Sequence, residues 1–426
     1  MLNYIWVALL LVGFIVGLLK SIFMPGASGL MTEMLNGIFG SAKTGFEISL
    51  ALTGVMTLWL GIMKIGERAG VIRLVARGVA PLFRTLFKGV PPGHPAYGSI
   101  TMNLSANMLG LGNAATPLGL KAMNELQELN DDKERASDAQ IMFLVLNTAG
   151  ITLVPTSVIA IRQGMAVKQN LVGFNAADIF LPTLIATFIA FVSGMIIVAI
   201  HQRINLFRLP VLIFLSIFCA MIGGIYWYVH HMTATGHSTK DVSDTIGAIG
   251  SGFILSLIMI FIAAGVVQKQ KVYEHFIEGA KEGFNVALRI IPYLVGMLIA
   301  ISVFRTSGCL EFIVQGISVG VAALCLPTDW TPVLPIMLMK PLSGSGAQAL
   351  MVDVMNSPDL GGYGVASFQG KLAAILQGTT ETTFYVLAVY FGSIGVKNTR
   401  SALVLGLIAD LIGMTAAIML GYLFFH

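Results

Sequence analysis

One carboxylate and one amide stand among four threonines at Gln377-Gly378-Thr379-Thr380-Glu381-Thr382-Thr383, inside an apolar run from about Leu372 to Gly395. About 20 such residues cross a bilayer. A charged side chain at that depth costs at least about 2.5 kcal/mol, so it faces protein, water or a bound solute. At helical spacing Gln377, Thr380 and Glu381 share a face. The chemistry on offer is coordination and proton carriage: Glu381 holds a cation or a proton, and the hydroxyls and the amide bond a polar solute.

Three further polar sets occupy apolar surroundings. Asn103, Ser105 and Asn107 lie in the Gly/Asn/Ser-rich stretch from Ala96 to Leu120, and Asn147, Thr148, Thr152 and Thr156 in a run near Ile141–Ile161. Thr148, Thr152 and Thr156 recur every fourth residue and predict one groove. Lys340, Ser343, Ser345 and Gln348 follow Met337, where Lys340-Pro341-Leu342-Ser343-Gly344-Ser345-Gly346 reads as a half-helix breaking into a glycine turn. The amides at the start of the next half-helix favour an anion or a polar oxygen. Against the functional reading stands a structural one. It is a buried Lys340–Glu381 ion pair joining two helices, with threonines bonding their own i−4 carbonyls. For the intramembrane acid Asp410 the two readings are level.

The elements that position these residues are membrane helices. Of 426 residues 56% are hydrophobic and 11% charged, against about 25% charged in a soluble domain, and the mean hydropathy is +0.84. The runs are too long and too evenly apolar for barrel strands. Spans are expected near Tyr4–Leu19, Phe46–Met63, Ile141–Ile161, Ile179–Ile200, Leu209–Val229, Ile246–Val267, Val286–Val303, Leu372–Gly395 and Ala402–Phe425. Met1–Leu19 lacks the features of a signal peptide and is expected to stay in the mature chain. Pro25–Lys43 reads as a short interfacial helix, and the segment carrying Arg68, Arg73, Arg77, Arg84 and Lys88 as a cytoplasmic amphipathic one. Cys219, Cys309 and Cys325 lie in apolar segments and read as packing residues. His230, His231 and His237 read as a wet loop without ligand spacing. Gly110-Leu111-Gly112-Asn113 has no preceding strand to make it a nucleotide fingerprint, and no hydrolase or P-loop pattern supports enzyme chemistry.

An internal repeat organises the chain. Ala42-Lys43-Thr44-Gly45-Phe46 matches Ala280-Lys281-Glu282-Gly283-Phe284, and the same offset of 238 carries Gly70 onto Gly308 and Gly78 onto Gly316. Leu146-Asn147 matches Leu376-Gln377 at an offset of 230. Both halves run span, amphipathic piece, broken segment, polar-centred span. Basic clusters after the first span and before its counterpart give them opposite orientations. The fold class is therefore an all-α polytopic membrane protein with two inverted repeats built on re-entrant or broken helices, a transporter architecture. The expected division is 1–44, an N-terminal span and interfacial segment; 45–165, the first repeat; 166–270, connecting spans; and 271–426, the second repeat.

Leu146-Asn147-Thr148-Ala149 and Gln377–Tyr385 resemble the signatures of bacterial spore maturation proteins A and B, joined in one chain. Both belong to the nucleoside recognition, or Gate, superfamily. The resemblance implies paired inverted Gate repeats in a multi-pass protein of the bacterial inner (plasma) membrane, with some relatives linked to movement of small organic anions. Without a GTPase domain or a Cys-lined gate, the chain departs from the ferrous-iron transporters of that superfamily.

The expected function is a secondary transporter or permease for a small polar, anionic metabolite, rather than an enzyme. Its contacts are Asn103, Ser105, Asn107, Asn147, Thr148, Thr152, Lys340, Ser343, Ser345, Gln377, Thr379, Thr380, Glu381, Thr382 and Thr383. The expected partners are that solute, the lipid bilayer and a coupling proton or cation, with no cofactor, metal or nucleic acid. Oligomeric state is left open, though small-residue faces such as Gly13/Gly17 would allow packing between protomers in a homo-oligomer. The rivals are a non-transporting envelope protein and a membrane enzyme acting on a lipid-linked substrate.

Overall fold

The computed structural model describes residues 2–27, 29–110, 112–235 and 239–426. Among these residues every regular element is a helix, and the one β-bridge is isolated. After α1 (Leu2–Phe23) come α2 (Leu30–Arg68), α3 (Val71–Leu86), the short pair α4 (Ala96–Met108) and α5 (Gly112–Glu128), then α6 (Asp138–Thr148) and α7 (Thr156–Lys168). Three helices follow: α8 (Phe180–His201), α9 (Leu209–Ala234) and α10 (Thr239–Val267). The earlier order then recurs as α11 (Val272–Thr306), α12 (Cys309–Ala323), α13 (Leu334–Met339), α14 (Gly344–Met355), α15 (Phe368–Thr379) and α16 (Thr383–Ser393), closed by α17 (Ala402–Phe425). Among the described residues α1, α2, α8, α9, α10, α11 and α17 are long and apolar enough to cross a membrane. The protein is a multi-pass membrane protein in which the same order of elements occurs twice.

The shared glycines mark the same bend twice. Gly70 precedes α3 at φ 72° and Gly308 precedes α12 at φ 80°. This left-handed geometry costs a residue with a Cβ about 1–2 kcal/mol.

Several expected boundaries are corrected. The run 141–161 is not one span: it is helical to Thr148, irregular through 149–155 and helical again from Thr156. The run 372–395 is likewise interrupted at 380–382. Thr148, Thr152 and Thr156 therefore do not share one helix face. Pro25–Lys43 is no separate interfacial helix, because α2 runs unbroken for 39 residues, about 58 Å at 1.5 Å per residue. α9 continues through His230 and His231, and His237 lies outside the described residues. Cys219 and Cys325 are exposed and Cys309 is half-buried, so the cysteines do not pack an interior.

The chain divides into two compact units. The first comprises Met1–Leu58, Ser157–Ala176 and Ala280–Gln377. Here glycines allow close helix contact: a Cβ on Gly45 would meet Val295 Cγ2 at 2.9 Å, and one on Gly37 would meet Ser302 Oγ at 2.7 Å. Gly13 lies against the Phe304 backbone and Gly17 against Met34 of the same chain, so that small-residue face is filled internally. Trp6 Nε1 donates to Gly296 O at 2.8 Å and Lys20 Nζ to Ser307 O at 2.7 Å, pinning α1 at both ends.

The second unit comprises Trp59–Thr156, Ala177–Gly279 and Gly378–His426. Its core joins Phe83, Phe87, Ile100, Met123, Phe143, Phe188, Tyr390 and Phe391. α8 and α17 approach closely at Gly413, where a Cβ would meet Ala190 Cβ at 2.7 Å. Small residues permit this where lipid supplies no hydrophobic drive between helices. Ser137 starts α6 with a capping box: its Oγ accepts from Gln140 N and its own N–H donates to Gln140 Oε1. The loop between α5 and α6 is tied to the one between α16 and α17. Lys397 Nζ lies 2.7 Å from Glu134 Oε1, and Arg400 Nη1 2.7 Å from Asp138 Oδ1. Ala136 N–H donates to Asn398 O at 2.9 Å, and Asn398 N–H to Glu134 O at 3.0 Å.

Candidate functional site

In the second unit the two interrupted helices meet through their main chains. α6 ends at Thr148, leaving carbonyls without helical partners, and the Glu381 N–H donates to Thr148 O at 2.8 Å. The segment after α6 turns the other way, where Leu153 N–H donates to Met108 O, at the end of α4, at 2.7 Å. Irregular backbone at membrane depth is tolerated only when its polar groups are satisfied in this manner or by water.

Side chains consolidate the junction. Asn107 Nδ2 donates to Asn147 Oδ1 at 2.8 Å, and Asn147 Nδ2 donates back along α6 to Phe143 O at 2.8 Å. Asn103, fully buried, donates through Nδ2 to Ala115 O at 2.7 Å and to Tyr390 Oη at 3.3 Å. Gly119 lies so close to this pair that a Cβ there would overlap the Tyr390 hydroxyl. Thr148 Oγ1 bonds Val145 O, a local bond of the structural kind. The threonines of both breaks approach α17 at its glycines. Around Gly406 stand Thr383 and Thr148, and around Gly413 Thr379 and Thr380.

Two placements differ from expectation. Glu381 was expected to be the buried acid, yet its side chain is exposed; the helix ends two residues before it, at Thr379, and so does not carry it inward. The carboxylate buried beside the junction is Asp410 on α17, 1% exposed, which accepts from Thr383 Oγ1 at 2.5 Å. Thr152 is half-buried in the irregular segment after α6, and Thr382 caps α16 without a side-chain cap bond. The buried side-chain oxygens without a hydrogen-bond partner include Asn103 Oδ1, Ser105 Oγ and Thr380 Oγ1. An unsatisfied buried group costs about 1–3 kcal/mol.

The first unit holds the remaining candidates. Ser343 caps α14, its Oγ accepting from Gly346 N at 3.0 Å and lying 3.3 Å from Ser345 Oγ. The turn at 340–343 forms as the sequence predicts. Lys340, 5% exposed, donates from Nζ to Gln377 O at 2.7 Å, and Gln377 Nε2 reaches Gly344 O at 3.4 Å. Gln377 Oε1 is buried without a partner. The cluster thus presents a buried ammonium beside an unsatisfied amide oxygen.

Sequence reasoning missed Arg162 on α7, which is completely buried. Its Nη1 donates to Ala176 O at 2.8 Å, its Nη2 to Val365 O at 3.5 Å, and its guanidinium covers the Phe174 ring at 4.9 Å. An arginine ending an apolar run looks the same in sequence as one snorkelling to the interface.

Spore maturation protein A of Bacillus subtilis (strain 168) is 40% identical over 197 residues, 46% of this chain and 93% of its own length. Spore maturation protein B of the same organism is 45% identical over 175 residues, 40% of this chain and 94% of its own length. No solved structure matches. The Gate family model, described as nucleoside recognition, matches residues 49–165 and again residues 287–397, each match taking in a short helix pair and an interrupted helix. The chain belongs to the Gate, or nucleoside recognition, family and carries its domain twice.

Proposed function

We propose that the protein is a secondary transporter of a bacterial inner membrane for a small polar, anionic metabolite. The observation that carries this reading is the set of buried oxygens without protein partners, Asn103 Oδ1, Ser105 Oγ and Thr380 Oγ1, in the unit where both interrupted helices meet. Broken helices with polar centres are how transporters bind solutes inside a membrane. In this reading Asn103, Ser105, Asn107, Asn147, Thr148, Thr152, Thr379, Thr380, Thr382 and Thr383 supply hydrogen bonds. Glu381, exposed on the interrupted segment, takes up and releases the coupling proton or cation. Lys340, with Ser343, Ser345 and Gln377, offsets the charge of an anion; its ammonium donates to the Gln377 carbonyl.

A second reading is a non-transporting envelope protein of the spore maturation type, the type that the two relatives' names give. Purified protein reconstituted into liposomes and offered a metabolite mixture under a pH gradient separates the two. Saturable uptake whose pH dependence disappears in Glu381→Gln is expected. Absence of saturable flux for every solute, with either sign of gradient, sinks the transport reading.

A further inference from the structure

The first unit contains a hollow of about 470 Å³ lined by α2, α7, α11, α14 and the turn after α14. That volume is within the range of small-molecule sites, about 300–1,000 Å³. None of the residues placed at the polar centre lines it.

Its charges fall into two sets. Lys43 and Lys168 both approach Glu47, at 3.8 and 3.4 Å. These are looser than the roughly 2.8 Å of a tight N⁺–H···O⁻ bond, and two ammoniums against one carboxylate leave a positive charge. In the other set Arg305 meets Asp353 at 2.9 Å, and Asp359 lines the same hollow. One guanidinium against two carboxylates leaves a negative charge. Among the described residues no ion pair joins the sets. Burial first, and then the carboxylates of Glu311 and Asp353, hold the Tyr363 phenol above its ordinary pKa, as a negative neighbourhood should.

The negative side is built rather than casual. The last carbonyls of α14 are already taken: Val354 O by Tyr363 N at 2.8 Å, Met355 O by Gln169 Nε2 at 2.6 Å, and Asn356 O by Gly364 N at 2.7 Å. A Cβ on Gly362 would overlap the Asn356 carbonyl, so the turn closes tightly over this end. What remains is the Asn356 side chain, 7% exposed, whose Oδ1 has no protein partner. The carboxyl end of a helix also favours a cation.

We infer that this hollow binds a small zwitterion, an amino acid or short peptide, with its carboxylate toward Lys43 and Lys168 and its ammonium toward Asp353, Asp359 and Asn356 Oδ1. A lining with no net charge gives a net anion or net cation no long-range attraction, whereas a dipolar solute is stabilised at both ends. The inference uses none of the residues on which the transport reading rests, so either can fail alone.

Isothermal titration of the full chain in detergent tests it with four probes: alanine, dialanine, N-acetylalanine (carboxylate only) and alanine methyl ester (ammonium only). The free amino acid or the dipeptide should bind saturably, and each half-charged analogue about tenfold or more weaker, a difference of about 1.4 kcal/mol. Lys43→Gln and Asp359→Asn sit at exposed positions and keep the fold readable by melting temperature; each should weaken the zwitterion about tenfold. Equal binding of N-acetylalanine would replace the claim with a plain anion site. No binding of either zwitterion to protein with a normal melting transition would overturn it outright.

Discussion

The Glu381 amide and the Thr148 carbonyl, 2.8 Å apart, join the interruption of the second repeat to that of the first. Thr148 is the last residue of α6, and Glu381 lies in the gap between α15 and α16. Each break therefore supplies a group that the other lacks, which is how unwound backbone persists where water is scarce. Changing the break in one repeat changes the hydrogen bonding of the other.

Asn107→Ala removes the donor to Asn147 Oδ1 and leaves a buried acceptor unsatisfied, a cost of about 1–3 kcal/mol. Asn107→Asp removes the same donor and adds a charge, and should be worse. Thermal unfolding in detergent should rank wild type above Asn107→Ala above Asn107→Asp. An unchanged transition for both substitutions would show that the contact contributes nothing.

Thr383 and Asp410 should be coupled. Thr383→Val withdraws the hydroxyl that donates to Asp410 Oδ2 and leaves that carboxylate less well satisfied. Asp410→Leu removes the charge, and in the double variant the threonine's loss matters less. A double-mutant cycle read by unfolding should give a coupling of about 0.5–3 kcal/mol. Strict additivity would mean that the short bond is energetically idle.

Arg162→Ala should be among the most destabilising single changes in the first unit. It removes donors to Ala176 O and Val365 O, and bonds from a charged group are worth about 1.5–3 kcal/mol each. Arg162→Lys keeps the charge but loses the fork and the planar contact with Phe174. Limited proteolysis should then cut first in 169–176 and 361–367. Wild-type protease resistance in Arg162→Ala would show that these segments are held by something else.

Local geometry was legible in the sequence, whereas interruptions inside apolar runs were not. The offset that pairs Gly70 with Gly308 identified two positions that need a left-handed residue, because a sharp turn writes itself into one amino acid. Ser343 with its glycines likewise announces a helix start. Hydropathy, however, runs on through 149–155 and 380–382. There the chain unwinds because a distant carbonyl or amide completes it, and no local residue encodes that partner. The same limit hid the length of α2. Its Gly45 and Gly37 are places where Val295 and Ser302 come close. Glu381 was expected inside for a related reason: helical spacing was extended across a break that spacing cannot reveal.

The bonds of Glu134 with Lys397 and of Asp138 with Arg400 bridge residues 263 and 262 positions apart. None of them uses the peptide chain between α9 and α10. Two polypeptides severed there would still carry every group needed to recognise each other at this clasp. Covalent continuity fixes a one-to-one ratio of the halves that this clasp joins.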